Sequence, residues 1–329
     1  MYEQFYGLSA RPFELTPNPK YLFLSPTHTE TLAHLEYALS ERRGVTLLLG
    51  EVGTGKTTLL RTALDRARAA GVVVGLLSNP TLTRAEFYRL LAVEFQLSPA
   101  AGRSKAEFLI ELHQLVEAQR DKGSNTALVV DEAQSLPVKL LEEIRFLANF
   151  ETETEKLLQL ILVGQPELAD RLNTPELRQL RQRIALRCRL EPLKINETAT
   201  YIAGRVRIAG GDAVRIFTRE AVVEIYERSH GIPRIISVIC DNALVTGFAL
   251  GKRPVGREVV LTVCRDFDFR LTSARPGDVA LDGQVPEGIL AAHGQVRMPP
   301  KGPQALAPAQ TNEPHRVLGS ESRLSGGRP

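Results

Sequence analysis

"LLLGEVGTGKTTLLRTAL", residues 47–64, decides the fold class. The apolar run VTLLL (45–49) reads as a buried strand and passes straight into a glycine-rich loop, which opens a helix expected from Thr57 to about Ala70. Gly50, Glu51, Val52, Gly53, Thr54, Gly55, Lys56 and Thr57 fit the pattern G-x-x-x-x-G-K-[ST] with a strand before it and a helix after it. The glycines let the backbone curl so that successive N–H groups face inward as an anion nest. The helix N-terminus adds its partial positive charge. Lys56 is placed to reach the β and γ phosphates and the Thr57 hydroxyl to ligate Mg²⁺, with Thr58 completing the nucleotide-binding set. ATP with Mg²⁺ is the expected ligand.

"LVVDEAQ" (128–134) supplies a second half. Strand ends in open α/β sheets face the ligand crevice, so Asp131, after an apolar run, is expected to hold the magnesium. Glu132 is expected to orient and deprotonate the attacking water. Two polar residues at other strand ends extend the candidate catalytic set. Gln165, in "LVGQPEL", is positioned to contact the γ-phosphate or the water, and Asn79 to hold Glu132 in an idle orientation.

Strands alternate with helices around these motifs. Further strands are expected at 72–77, 127–130, 158–164 and 184–193, and helices at 83–96 and 104–121, the second with Phe108, Leu112, Leu115 and Val116 on one face. Strands apolar on both faces with helices between them imply a parallel sheet covered on each side. After Pro192 the pattern turns helical, at 196–209, 218–229 and 233–250, opened by Asn196, Thr218 and Pro233. The expected organisation is an α/β nucleotide domain over 1–193, a small helical domain over 194–270 and a tail over 271–329. The tail is rich in proline, glycine and small polar residues and lacks aromatics; it is expected to be disordered, with "GILAAHGQV" as an alternative docking segment.

Composition narrows the class little. With 41 basic and 38 acidic residues the net charge is +3, which does not announce a nucleic-acid binder. Cys188, Cys240 and Cys264 form no C-x-x-C pair, so reduced thiols of a cytosolic protein are expected. The N-terminus does not read as a signal peptide, and no window approaches the roughly 18 apolar residues of a membrane helix. His28, His34, His113 and His230 show no metal-ligand spacing.

The chain resembles the AAA+ ATPases, and more closely their ExeA-type group. The resemblance covers roughly residues 1–270. It rests on "MYEQFYGLSARPFELTPNPKYLFLSPTHTETLAHLEYAL", "GEVGTGKTT", "LVVDEAQ", "LVGQPEL", "LRQLRQRIALRCRLEPL" and "HGIPRIISVICDNAL". It implies a five-stranded P-loop domain with a helical lid. Arg234, in "GIPR", matches the sensor-2 arginine that reaches from the lid to the phosphates. Arg183 matches the arginine finger inserted into a neighbouring subunit's site, with Arg178 and Arg181 close enough to compete. The aromatic opening (Tyr2, Phe5, Tyr6, Phe13, Tyr21, Phe23) looks like the family segment near the adenine, core packing being the alternative. Longer members carry a transmembrane helix and a periplasmic peptidoglycan-binding domain; neither is expected in this sequence.

Two functions follow. The first is a cytoplasmic, homo-oligomeric ATPase, peripheral to the inner membrane only through a partner, which remodels a protein of a secretion, pilus or exopolysaccharide export system. The alternative is an ATP-dependent DNA-binding helper of the transposition type, which the near-balanced charge disfavours. A nucleotide-gated scaffold without hydrolysis would have no use for Glu132.

Overall fold

Five apolar segments pair into one parallel sheet in the computed structural model, which describes residues 1–14, 21, 23–78 and 82–267. They are β1 (Val45–Gly50), β2 (Val73–Leu77), β3 (Thr126–Val130), β4 (Leu158–Gly164) and β5 (Ile184–Leu190), in the order β2-β3-β4-β1-β5. The register sets Leu48 beside Val163 and Val129 beside Ile161. Successive residues of a strand point to opposite faces, so each central strand feeds two cores. Leu47, Leu128, Val130, Leu160 and Leu162 face one core, and Leu48, Val129, Ile161 and Val163 the other.

Helices close both faces. α1 is Tyr2–Tyr6 and α2 is Pro26–Ser40. α2 packs Leu32, Leu35 and Leu39 on the second face beside α3 (Lys56–Ala69), which contributes Leu59, Leu60 and Leu64. The first face is covered by α4 (Arg84–Glu94), α5 (Lys105–Asp121), α6 (Val138–Leu147), α7 (Glu167–Leu172) and α8 (Arg178–Arg181). The strand expected to run to residue 193 stops at Leu190. α1, α2, α6, α7 and α8 were not expected.

A separate apolar cluster follows the sheet. It is built from α9 (Ile195–Ile208), α10 (Ala213–Ile216), α11 (Arg219–Ser229), α12 (Pro233–Ala249) and α13 (Arg257–Asp266), α10 and α13 being also unexpected. Thr218 caps α11 by accepting a hydrogen bond from the Ala221 N–H, and Pro233 sits in the first turn of α12. Asn196 does not open α9. Lys194 stands at the N-cap, its N–H donating to Glu197 Oε2 at 2.8 Å, which moves the helix start back by one residue.

The N-terminal segment joins this helical cluster. Tyr2, Tyr6, Leu8 and Phe13 are buried in it, and Phe5 and Phe23 pack against it. The Tyr2 hydroxyl donates to Asp241 Oδ1 at 2.6 Å, and the Tyr6 hydroxyl to the Lys252 carbonyl. Tyr21 lies under the Arg205 guanidinium. Packing therefore accounts for the aromatic residues of the opening. The three cysteines are buried and unpaired. No helix among the described residues is long and apolar enough to cross a membrane. The tail expected over 271–329 lies outside the described residues.

Phe13, fully buried against the edge of Phe217, joins the N-terminal segment to the helical cluster. Phe13→Ala should lower the unfolding free energy by about 3–5 kcal/mol in urea titrations. A loss below about 1 kcal/mol would mean that the N-terminal segment is only loosely attached.

Candidate active site

Strand order assembles the site. β4 lies between β1 and β3, so the loop after β1, Gln165 after β4 and Asp131 after β3 meet at the carboxyl edge of the sheet. The loop turns at Glu51, whose carbonyl accepts from the Thr54 hydroxyl at 2.8 Å. Gly53 has φ +82°, and a Cβ there would stand 2.7 Å from Arg234 Cβ, so only glycine permits the approach of α12. Val52 is exposed at the tip, and Thr58 lies in the first turn of α3.

Lys56 is 5% exposed. Its Nζ donates to the Gly50 carbonyl at 2.7 Å and to the Glu51 carbonyl at 2.9 Å. Burial pushes its pKa below the ordinary lysine value, while the charges of Glu132, Asp131 and Glu51 act the other way. One residue on, the Thr57 hydroxyl donates to Asp131 Oδ2 at 3.0 Å. Two oxygen donors thus converge from α3 and the end of β3. Magnesium is held by one or two such oxygens together with phosphates and water rather than by a protein cage. Residues Thr57 and Asp131 fit that role.

Glu132 adopts φ 53°, ψ 38°, the left-handed region that a residue with a side chain enters at a cost of about 1–3 kcal/mol. The kink turns its carboxylate back toward the β4 end. Glu132 Oε2 accepts from Gln134 Nε2 at 2.6 Å and from Gln165 Nε2 at 3.2 Å. Asn79 lies outside the described residues.

Arg234 reaches the loop by its backbone, its N–H donating to the Gly53 carbonyl at 3.2 Å, while its side chain is exposed. The preceding turn is stitched to the end of the sheet domain. The Leu193 N–H donates to the Gly231 carbonyl at 2.8 Å, and a Cβ on Gly231 would fall 1.9 Å from the Leu193 carbonyl oxygen. Arg183 is not brought to this site. It precedes β5, at the opposite end of the parallel sheet, and its Nη1 donates to the Ala148 carbonyl. A seven-residue strand spans roughly 20 Å, too far for Arg183 to touch the loop of its own chain. Arg181 is paired with Asn173, and Arg178 is exposed.

Two contacts were missed from sequence. Gln134 is one. The other is His28, 4% exposed in the first turn of α2, with Nδ1 at 2.7 Å from Ser25 Oγ and Nε2 at 3.1 Å from the Thr54 carbonyl. That pairing calls for a neutral ring whose Nε2–H donates to the loop. Ser25 before Pro26 is a readable helix start; the contact with a loop 26 residues on is not.

An AAA domain model matches residues 39–172. Over 257 residues, 78% of this chain, the sequence is 44% identical to general secretion pathway protein A of Aeromonas hydrophila. The chain spans about half of that relative, 46% of its length. Solved structures share the fold at low identity. The ORC2 protein of Aeropyrum pernix has a TM-score of 0.58 at 18% identity, covering 78% of this chain and 72% of that one. Drosophila ORC bound to DNA has a TM-score of 0.59 at 17% identity, covering 78% and 64%.

Fold and site together define a P-loop domain of the AAA+ class. Within that class the chain is a homologue of general secretion pathway protein A, and its AAA+ domain is of the ExeA type.

Burial pushes the His28 imidazole below its ordinary pKa, the hydrogen bond to Thr54 and the Glu197 charge opposing this in part. The unfolded chain therefore takes up this proton first, so the His28 contribution is complete above about pH 6.5 and is lost as the pH falls below that value. Urea midpoints should drop between about pH 7 and about pH 5.5, and drop less in His28→Gln. Equal drops in the two proteins would mean that His28 is protonated as easily folded as unfolded.

Proposed function

We propose that the chain binds Mg·ATP at the Gly50–Thr58 loop, hydrolyses it, and uses the cycle to remodel a protein partner of an envelope secretion or export system. The supporting observation is the 3.0 Å contact between Thr57 and Asp131 beside the buried ammonium of Lys56. In this reading a phosphate oxygen competes with the Gly50 and Glu51 carbonyls for that ammonium, and loop N–H groups take the remaining charge. Bound magnesium supplies charge neutralisation between the β and γ phosphates. Glu132 takes the proton of the attacking water, and Gln165 orients the γ-phosphate or that water. The sheet domain, up to residue 193, acts as the nucleotide domain, and the helical cluster from residue 194, with the N-terminal segment packed into it, acts as the lid, Arg234 being its phosphate contact.

Arg183 completes the site of a second copy. Its place at the far end of the sheet supports action in trans and hence a homo-oligomer, an arginine there neutralising charge on the transferred phosphoryl group. The partner follows from the secretion-pathway relative, and a cytoplasmic location, at the inner membrane only through that partner, goes with it. DNA binding is the second reading. Arg187 and Arg189, exposed along the outer face of β5, favour it, and it requires steep salt dependence.

Lys56→Ala should abolish Mg·ATP binding, seen by calorimetry. Glu132→Gln should keep binding and lower turnover by about 10²–10⁴-fold. Chelating magnesium should stop wild-type hydrolysis. Turnover per subunit should rise with protein concentration and lose that dependence in Arg183→Ala. Undiminished turnover in Glu132→Gln sinks the base assignment, and concentration-independent wild-type turnover sinks the shared site.

A further inference from the structure

Gln134 carries no role in the reading above, yet both ends of its amide are engaged. Its Nε2 donates to Glu132 Oε2 at 2.6 Å, and its Oε1 accepts from the Gln165 backbone N–H at 3.1 Å. The Gln165 side chain closes a triangle by donating to the same Glu132 oxygen at 3.2 Å.

The surroundings are shaped to this amide. A Cβ on Gly164, the last residue of β4, would stand 2.9 Å from Gln134 Oε1, so the strand end leaves it room. From α7, the Arg171 guanidinium donates to the backbone carbonyls of Gln134 and Leu136, holding the short turn Ala133–Ser135 that carries Gln134. Both donors converge on Oε2, and Oε1 of Glu132 receives no hydrogen bond from a described residue. Two donors on one oxygen fix the rotation of a carboxylate that is otherwise free about its last bond. The other oxygen is then presented in one direction.

We propose that Gln134 is a positioning residue for Glu132. It orients the carboxylate toward the water and ties that orientation to the end of β4, where Gln165 sits. The inference rests on the reading of Glu132 as the base. Gln134 acts through Glu132 and touches neither nucleotide nor water.

The test uses the full chain and two readouts: turnover at saturating Mg·ATP and the dissociation constant of a fluorescent ATP analogue. Gln134→Met keeps the length and volume of the side chain and removes both hydrogen bonds. It should lower kcat by about tenfold to a hundredfold, the effect of losing a hydrogen bond to a charged group. The analogue's dissociation constant should move by less than about threefold, since no phosphate contact is lost. Turnover within about twofold of wild type overturns the proposal. So does a fall in kcat matched by an equal loss of nucleotide affinity, because that is the mark of a collapsed loop. Glu132→Gln, measured alongside, separates the two ideas. If it retains wild-type turnover, the base assignment fails and this inference with it. If it is inactive while Gln134→Met turns over normally, only the role of Gln134 is lost.

Discussion

The ammonium of Lys56 is almost wholly removed from water and is bound to the two carbonyls that begin its own loop. A buried cation without acceptors is costly enough that a chain normally avoids it. Here the carbonyls of Gly50 and Glu51 satisfy it, and in doing so they fix the path from β1 into α3. The loop is then held from outside on two sides. His28 reaches the Thr54 carbonyl from α2, and the Arg234 N–H reaches the Gly53 carbonyl from α12. The loop is thus tied both to a helix of the sheet domain and to a helix of the C-terminal cluster.

The remaining site residues are placed by topology. Because β4 runs between β1 and β3, Gln165 stands next to Glu132 although 33 residues separate them in sequence. The opposite end of the sheet carries Arg183. An all-parallel sheet has two chemically different ends, the carboxyl edge gathering the loop, Asp131 and Gln165 and the other carrying Arg183.

Much of this is legible in the order of residues alone. β4 matches its expected bounds, 158–164, because a strand buried on both faces is a continuous apolar run. The P-loop and the Asp131–Glu132 pair are contiguous in sequence, and local motifs can be read locally. Less legible are the short helices. α1, α7 and α8 have four to six residues and form only because Tyr6, Leu168 and Leu180 are buried against existing cores. α6 and α13, ten residues each, are also below the length that stands alone in water. α2 opens on threonines and histidines, poor helix formers, and is held by Leu32, Leu35 and Leu39. His28 with Thr54, and Gln134 with Gln165, are polar contacts between distant segments. No periodicity announces them. The membership of Tyr2, Tyr6 and Phe13 in the helical core is hidden for the same reason, their partners lying some two hundred residues on.

β5 is one edge of the sheet and, among the described residues, pairs only with β1. Unpaired backbone on such a margin is a template for sheet extension by another chain. Arg187 and Arg189 stand exposed on this strand, alternating with Cys188, whose side chain is buried in the core behind it. Arg189 is paired with Glu191 at 2.8 Å, and both guanidinium groups would have to be desolvated before another chain could add along this margin. The self-association proposed above is thereby disfavoured along this edge, while β2 forms the sheet's other margin.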